Sequence, residues 1–102
     1  MKYQMLVELQ VVGPLDDLDE VSDRLADALY ELHDVIDPDL STNLKTGRLD
    51  VTMIVDVATL EEALRTTLAA TRAAVHATGG STPDWDRMFR EVGTQAHELT
   101  DA

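Results

Sequence analysis

Residues 40–57, LSTNLKTGRLDVTMIVDV, decide the fold. After Gly47, the apolar residues Leu49, Val51, Met53, Val55 and Val57 fall at every second position, with Arg48, Asp50, Thr52 and Asp56 among the residues between them. A period of two belongs to a strand with one buried face, because successive side chains of an extended chain point to opposite sides. Ahead of the glycine, Leu40, Thr42 and Leu44 alternate in the same way. With Thr46-Gly47 as a two-residue turn, Leu44 faces Leu49, Thr42 faces Val51 and Leu40 faces Met53, while Lys45/Arg48 and Asn43/Asp50 share the other side; Thr-Gly is a weaker turn signal than Asn-Gly, so a slightly longer loop is the alternative. That register gathers the apolar pairs on one face, as a hairpin resting on a core requires.

Upstream, residues 3–12 alternate as well: Tyr3, Met5, Val7, Leu9 and Val11 against Gln4, Glu8 and Gln10, with Gly13-Pro14 ending the strand. Asp17 then offers a helix N-cap, with Glu20 three positions on in the manner of a capping box. Leu18, Val21, Leu25, Leu29 and Leu32 follow at helical spacing, and the helix is expected to end near His33-Asp34. Downstream of the hairpin, Thr59-Leu60-Glu61-Glu62 is a second capping box. It opens a helix whose expected inner stripe is Leu60, Leu64, Leu68, Thr71 and Val75, stopped by Gly79-Gly80. Residues 80–102 read as a capping tail in one of two ways: a short helical turn over 83–90 and a fourth strand over 94–99, or a third helix on which Trp85, Met88, Phe89, Val92, Ala96 and Leu99 fall at helical spacing. Such a strand fills the place beside the first strand that a β-α-β-β-α unit leaves empty.

This order predicts one α+β domain over residues 1–102, a ferredoxin-like βαββα(β) sandwich with an antiparallel sheet and two helices on one face. Val12-Gly13-Pro14 between the first strand and helix resembles the ACT-type regulatory modules, as does Gly47-Arg48 opening a strand that ends in Val55-Asp56-Val57. The resemblance implies a small-ligand site near Gly13 and Leu15 at a dimer interface.

Composition removes several function classes. There are 20 acidic and 8 basic side chains, a formal net charge of -12, which repels a phosphate backbone and argues against nucleic-acid binding. Cysteine is absent, so disulfides, thiolate catalysis and Cys-ligated metal sites are excluded. The N-terminal apolar run is broken by Gln4, Glu8 and Gln10, unlike a signal peptide, and no stretch approaches a membrane span. A cytoplasmic address is the resulting expectation. No GxGxxG or Walker pattern, nucleophile elbow, EF-hand loop or zincin His pair occurs, so no catalytic residue, cofactor or metal ligand is assigned.

Three surfaces stand out. Between Asp16 and Asp39 lie ten carboxylates and one cation, Arg24, and Glu20, Asp23, Asp27 and Glu31 form one acidic helix face suited to a basic protein partner. Trp85, Met88 and Phe89 cluster in the tail as candidates for a ligand pocket or interface. Leu6, Val12 and Ile54 lie among polar residues on the sheet face away from the helices, where a second copy could pair. The leading expectation is therefore a small, acidic, non-enzymatic protein-interaction module that self-associates as a homodimer. A small-ligand-binding regulatory module of ACT-like type is the alternative, and an enzyme with an unrecognised site the second alternative.

Overall fold

Alternation in residues 2–11 and 48–56 produces the two central strands of the sheet. The computed structural model describes residues 1–13, 15–78 and 89–100. Its elements run β1 (Lys2–Val11), α1 (Leu18–Tyr30), β2 (Ile36–Asn43), β3 (Arg48–Asp56), α2 (Leu60–Ala77) and β4 (Phe89–Leu99). The strands form one antiparallel sheet in the order β2-β3-β1-β4. This is the ferredoxin-like arrangement, and both helices pack on the same face. Tyr3, Met5, Val7 and Leu9 of β1 meet Leu49, Val51, Met53 and Val55 of β3 beneath Leu18, Leu25 and Leu29 of α1, with all eleven buried.

The hairpin register differs from the expectation. Thr42 faces Leu49, Leu40 faces Val51 and Asn43 faces Arg48, so the loop holds residues 44–47 rather than two. Asn43 supplies the reason. Its Oδ1 accepts from the backbone N–H of Lys45 (3.0 Å) and Thr46 (3.2 Å), and its carbonyl accepts from Gly47 N–H (2.9 Å). A side chain that closes its own turn competes with the ladder. The slip of two residues leaves the faces unchanged but expels Leu44, which is 52% exposed.

Both helices also depart from the expected detail. Asp17 occupies the N-cap position of α1, yet its side chain makes no capping hydrogen bond, and α1 ends at Tyr30, short of His33-Asp34. At α2 the N-cap half of the capping box forms: Thr59 Oγ1 accepts from Glu62 N–H at 3.1 Å, while the Glu62 carboxylate accepts from Ala58 N–H at 3.4 Å. The inner face of α2 is nonetheless built from Ala63, Thr67, Ala70, Thr71, Ala74 and Val75. Leu64 and Leu68 lie half-buried at its margin, and Leu60 is exposed. Small side chains let the helix backbone approach the sheet closely, which sets its rotation.

In the tail, Phe89 and Arg90 already belong to β4 and are not helical. The remainder of the expected turn, together with Trp85 and Met88, lies outside the described residues. β4 pairs with β1 along its length, with one irregularity: Glu8 faces Gly93 but Leu9 faces Glu91, leaving Val92 as an extra residue. Residues 89 and 93 would share a face in a regular strand. The bulge inverts that parity, so Phe89 turns to the helix side beside Val11 and is 1% exposed.

Candidate functional site

The bulge has a local consequence at the end of the sheet where β1 leaves it. Phe89, the last residues of β1 and the start of α1 enclose a cleft of about 390 Å³ lined by Val11, Val12, Asp16, Asp17, Leu18, Val21 and Phe89. Phe89 and Leu18 are buried and form the floor, Val11 and Val21 are half-buried, and Val12, Asp16 and Asp17 are exposed at the mouth. An apolar concavity with a few polar groups at its rim is the general form of a small-ligand site.

Each part follows from its element. Val12 lies just beyond β1, where Gly13 (φ 115°) turns the chain into a conformation that residues with a side chain rarely adopt. Leu18 and Val21 belong to the apolar stripe of α1, three residues apart and so on neighbouring turns of one face. Asp16 and Asp17 precede the helix. Leu18 N–H is satisfied by the Leu15 carbonyl (3.1 Å) and Val21 N–H by the Asp17 carbonyl (3.0 Å), so backbone groups close this turn without the Asp17 carboxylate.

The expected site residues separate into distinct places. Phe89 lies in the cleft. Gly13 and Leu15 belong to the segment between Val12 and Asp16, but Leu15 packs against the core, over Gly47. Leu6 and Ile54 sit half-buried on the opposite sheet face, on the central strands β1 and β3, beside a shallow groove that includes Gln4, Thr52, Gln95 and His97. Val12 is not part of that face and belongs to the cleft mouth. Glu20, Asp23, Asp27 and Glu31 are all exposed on α1, with Glu20 ion-paired to Arg24. Asp39 accepts from Leu40 N–H (2.8 Å) and Tyr30 O–H (3.3 Å), which ties β2 to the end of α1.

A second polar cluster lies on the open sheet face, where Arg48 donates to the Glu8 carboxylate and Gln95 Nε2 donates to its other oxygen at 3.3 Å. These contacts join β3, β1 and β4 and leave Glu8 largely buried among its partners, so the cluster reads as sheet cross-bracing. Sequence reading missed Val11, Asp16, Asp17, Leu18 and Val21 as cleft residues. Leu18 and Val21 were visible as core stripe, but the bulge that brings Phe89 opposite them has no signal of its own beyond Gly93.

No family model matches the chain, and no curated protein matches it. Among solved structures, the chain resembles one described as "putative Antibiotic biosynthesis monooxygenase" from Chloroflexus aurantiacus J-10-fl. The TM-score is 0.63 at 8% sequence identity, covering 100% of this chain and 96% of that one. The likeness establishes the fold. It also corrects the expectation of a non-enzymatic, self-associating interaction module, because the neighbour carries an enzyme's description. No described helix is long and apolar enough to cross a membrane.

Proposed function

We propose that this protein binds a small, mainly apolar molecule in the cleft between β1, α1 and β4. The observation that carries this reading is the convergence of Val11, Leu18, Val21 and Phe89 on one open cavity of about 390 Å³. The bulge at Val92 supports it further, since bulges often re-aim a side chain beside a functional site. The structural neighbour's description is consistent with a fold that handles small molecules.

The test is binding of N-phenyl-1-naphthylamine, a neutral apolar dye whose emission rises on leaving water. Saturable binding is expected, and Val21→Phe, which puts a bulkier side chain into the cleft, is expected to weaken it without lowering the melting temperature. Dye binding unaffected by Val21→Phe would sink the reading. The neighbour's description favours a second reading, in which the bound molecule is oxidised. Oxygen uptake by the purified protein in the presence of apolar aromatic compounds tests it.

A further inference from the structure

The rim of the cleft gives its occupant a charge. We propose that the ligand is an organic cation, an apolar body carrying a protonated amine, with the body against Phe89, Leu18 and Val21 and the ammonium group between the carboxylates of Asp16 and Asp17. This inference rests on the cleft being a ligand site and adds the sign of the ligand.

Two opposing fields meet at this rim. The first turn of α1 contributes roughly +0.5 of an elementary charge, which by itself favours an anion. Against it stand Asp16 and Asp17 in the cleft lining, backed by Asp19 and Glu20 in the first helical turn. With Glu20 offset by Arg24, three carboxylates against about half a positive charge leave the mouth negative. Arg24 pairs with Glu20 one turn further along, and no ion pair of Asp16 or Asp17 occurs among the described residues.

The second observation concerns Asp17 itself. Aspartate at an N-cap ordinarily spends its carboxylate on the backbone N–H two or three residues on. Here that bond is not made, and the Asp17 backbone (φ -106°, ψ 15°) is not in the extended conformation from which capping is usual. The carboxylate therefore remains available at a rim whose floor is apolar. A carboxylate-bearing ligand would meet repulsion at the mouth, and a neutral one would gain nothing from it. An ammonium group forms charge-assisted hydrogen bonds there, strengthened by the low-dielectric wall beneath.

Displacement of the bound dye by octylammonium, octanol and octanoate separates these cases. All three share one apolar chain and differ in charge. Octylammonium is expected to displace the dye roughly three- to tenfold more effectively than octanol, with octanoate weakest, as exposed ion pairs of modest individual strength imply. The preference is expected to shrink as salt rises. The double variant Asp16→Asn/Asp17→Asn keeps shape and is expected to equalise octylammonium and octanol. Equal displacement by the two in the wild-type protein, or a preference that survives the double variant, overturns the assignment of charge while the apolar cleft stands. Failure of every octyl compound to displace the dye overturns both.

Discussion

Gly47 holds φ at 76°, and a Cβ built there would lie 2.9 Å from Leu15 Cδ2 and 3.0 Å from Gln10 Nε2. Its carbonyl accepts from Val11 N–H at 2.9 Å, tying the hairpin loop to the last residue of β1. Left-handed backbone costs a residue with a side chain roughly 1–2 kcal/mol, and the crowding adds to it, although both crowding atoms are flexible side-chain ends. Gly47→Ala is therefore expected to destabilise the protein by about 1–3 kcal/mol in urea unfolding. Leu25 and Leu64 form a second comparison at this scale. Sequence periodicity makes them equivalent core positions, but Leu25 is fully buried and Leu64 only half so. Leu25→Ala is expected to cost roughly 2–5 kcal/mol. Leu64→Ala should cost about 1–2 kcal/mol, since only part of its side chain leaves water on folding. Equal shifts in the urea midpoint would mean that α2 is rotated from the position described.

At the scale of elements, the two helix starts look alike in sequence and differ in the folded chain. Thr59 caps α2 through its side chain and Asp17 does not cap α1. Thr59→Ala is thus expected to cost about 1 kcal/mol and Asp17→Ala less than about 0.5 kcal/mol in the same denaturation experiment. The strands of the hairpin and β1 were legible because one buried face imposes period two. Their register was not, because Asn43 closes the loop with its own side chain, which alternation does not encode. The inner face of α2 was placed correctly at Thr71 and Val75 but misassigned in its first half for a related reason: hydrophobicity favours Leu60, Leu64 and Leu68, whereas close packing on the sheet selects Ala63, Thr67 and Ala70. Of the cleft, Phe89 alone carried a signal, as an aromatic near Trp85 and Met88. Its wall position depends on one extra residue, Val92, which is 49% exposed and by composition ordinary. Deleting Val92 is expected to return Phe89 to the outer sheet face. The cost should approach that of Phe89→Ala, about 3–5 kcal/mol, with loss of dye binding. A deletion variant as stable as wild type, with its dye site intact, would show that β4 does not need the bulge.

At the scale of the whole molecule, the net charge of -12 on 102 residues opposes the compact state through self-repulsion. The exposed ion pairs offset little of it. The Arg24–Glu20 and N-terminus–Asp56 pairs are more than half exposed, where such pairs contribute about 0–1 kcal/mol, and Arg48–Glu8 is the more buried pair and less screened. Salt shortens the range of the repulsion from roughly 30 Å at 0.01 M to about 10 Å at 0.1 M, so it relieves the many distant like-charge pairs before it weakens the few close unlike ones. The melting temperature is accordingly expected to rise with sodium chloride, by about 4–8 °C for each kcal/mol of repulsion removed. The exposed face of α1 allows an internal control. Converting Asp23 and Asp27 to Lys changes the charge by two units each, taking -12 to -8. At low salt this double variant should melt at or above the wild-type temperature, and its salt dependence should be shallower, because part of the repulsion is already gone. A wild-type melting temperature that falls as salt is added would reverse the balance, meaning that the close pairs, Arg48–Glu8 foremost, outweigh the repulsion of the whole.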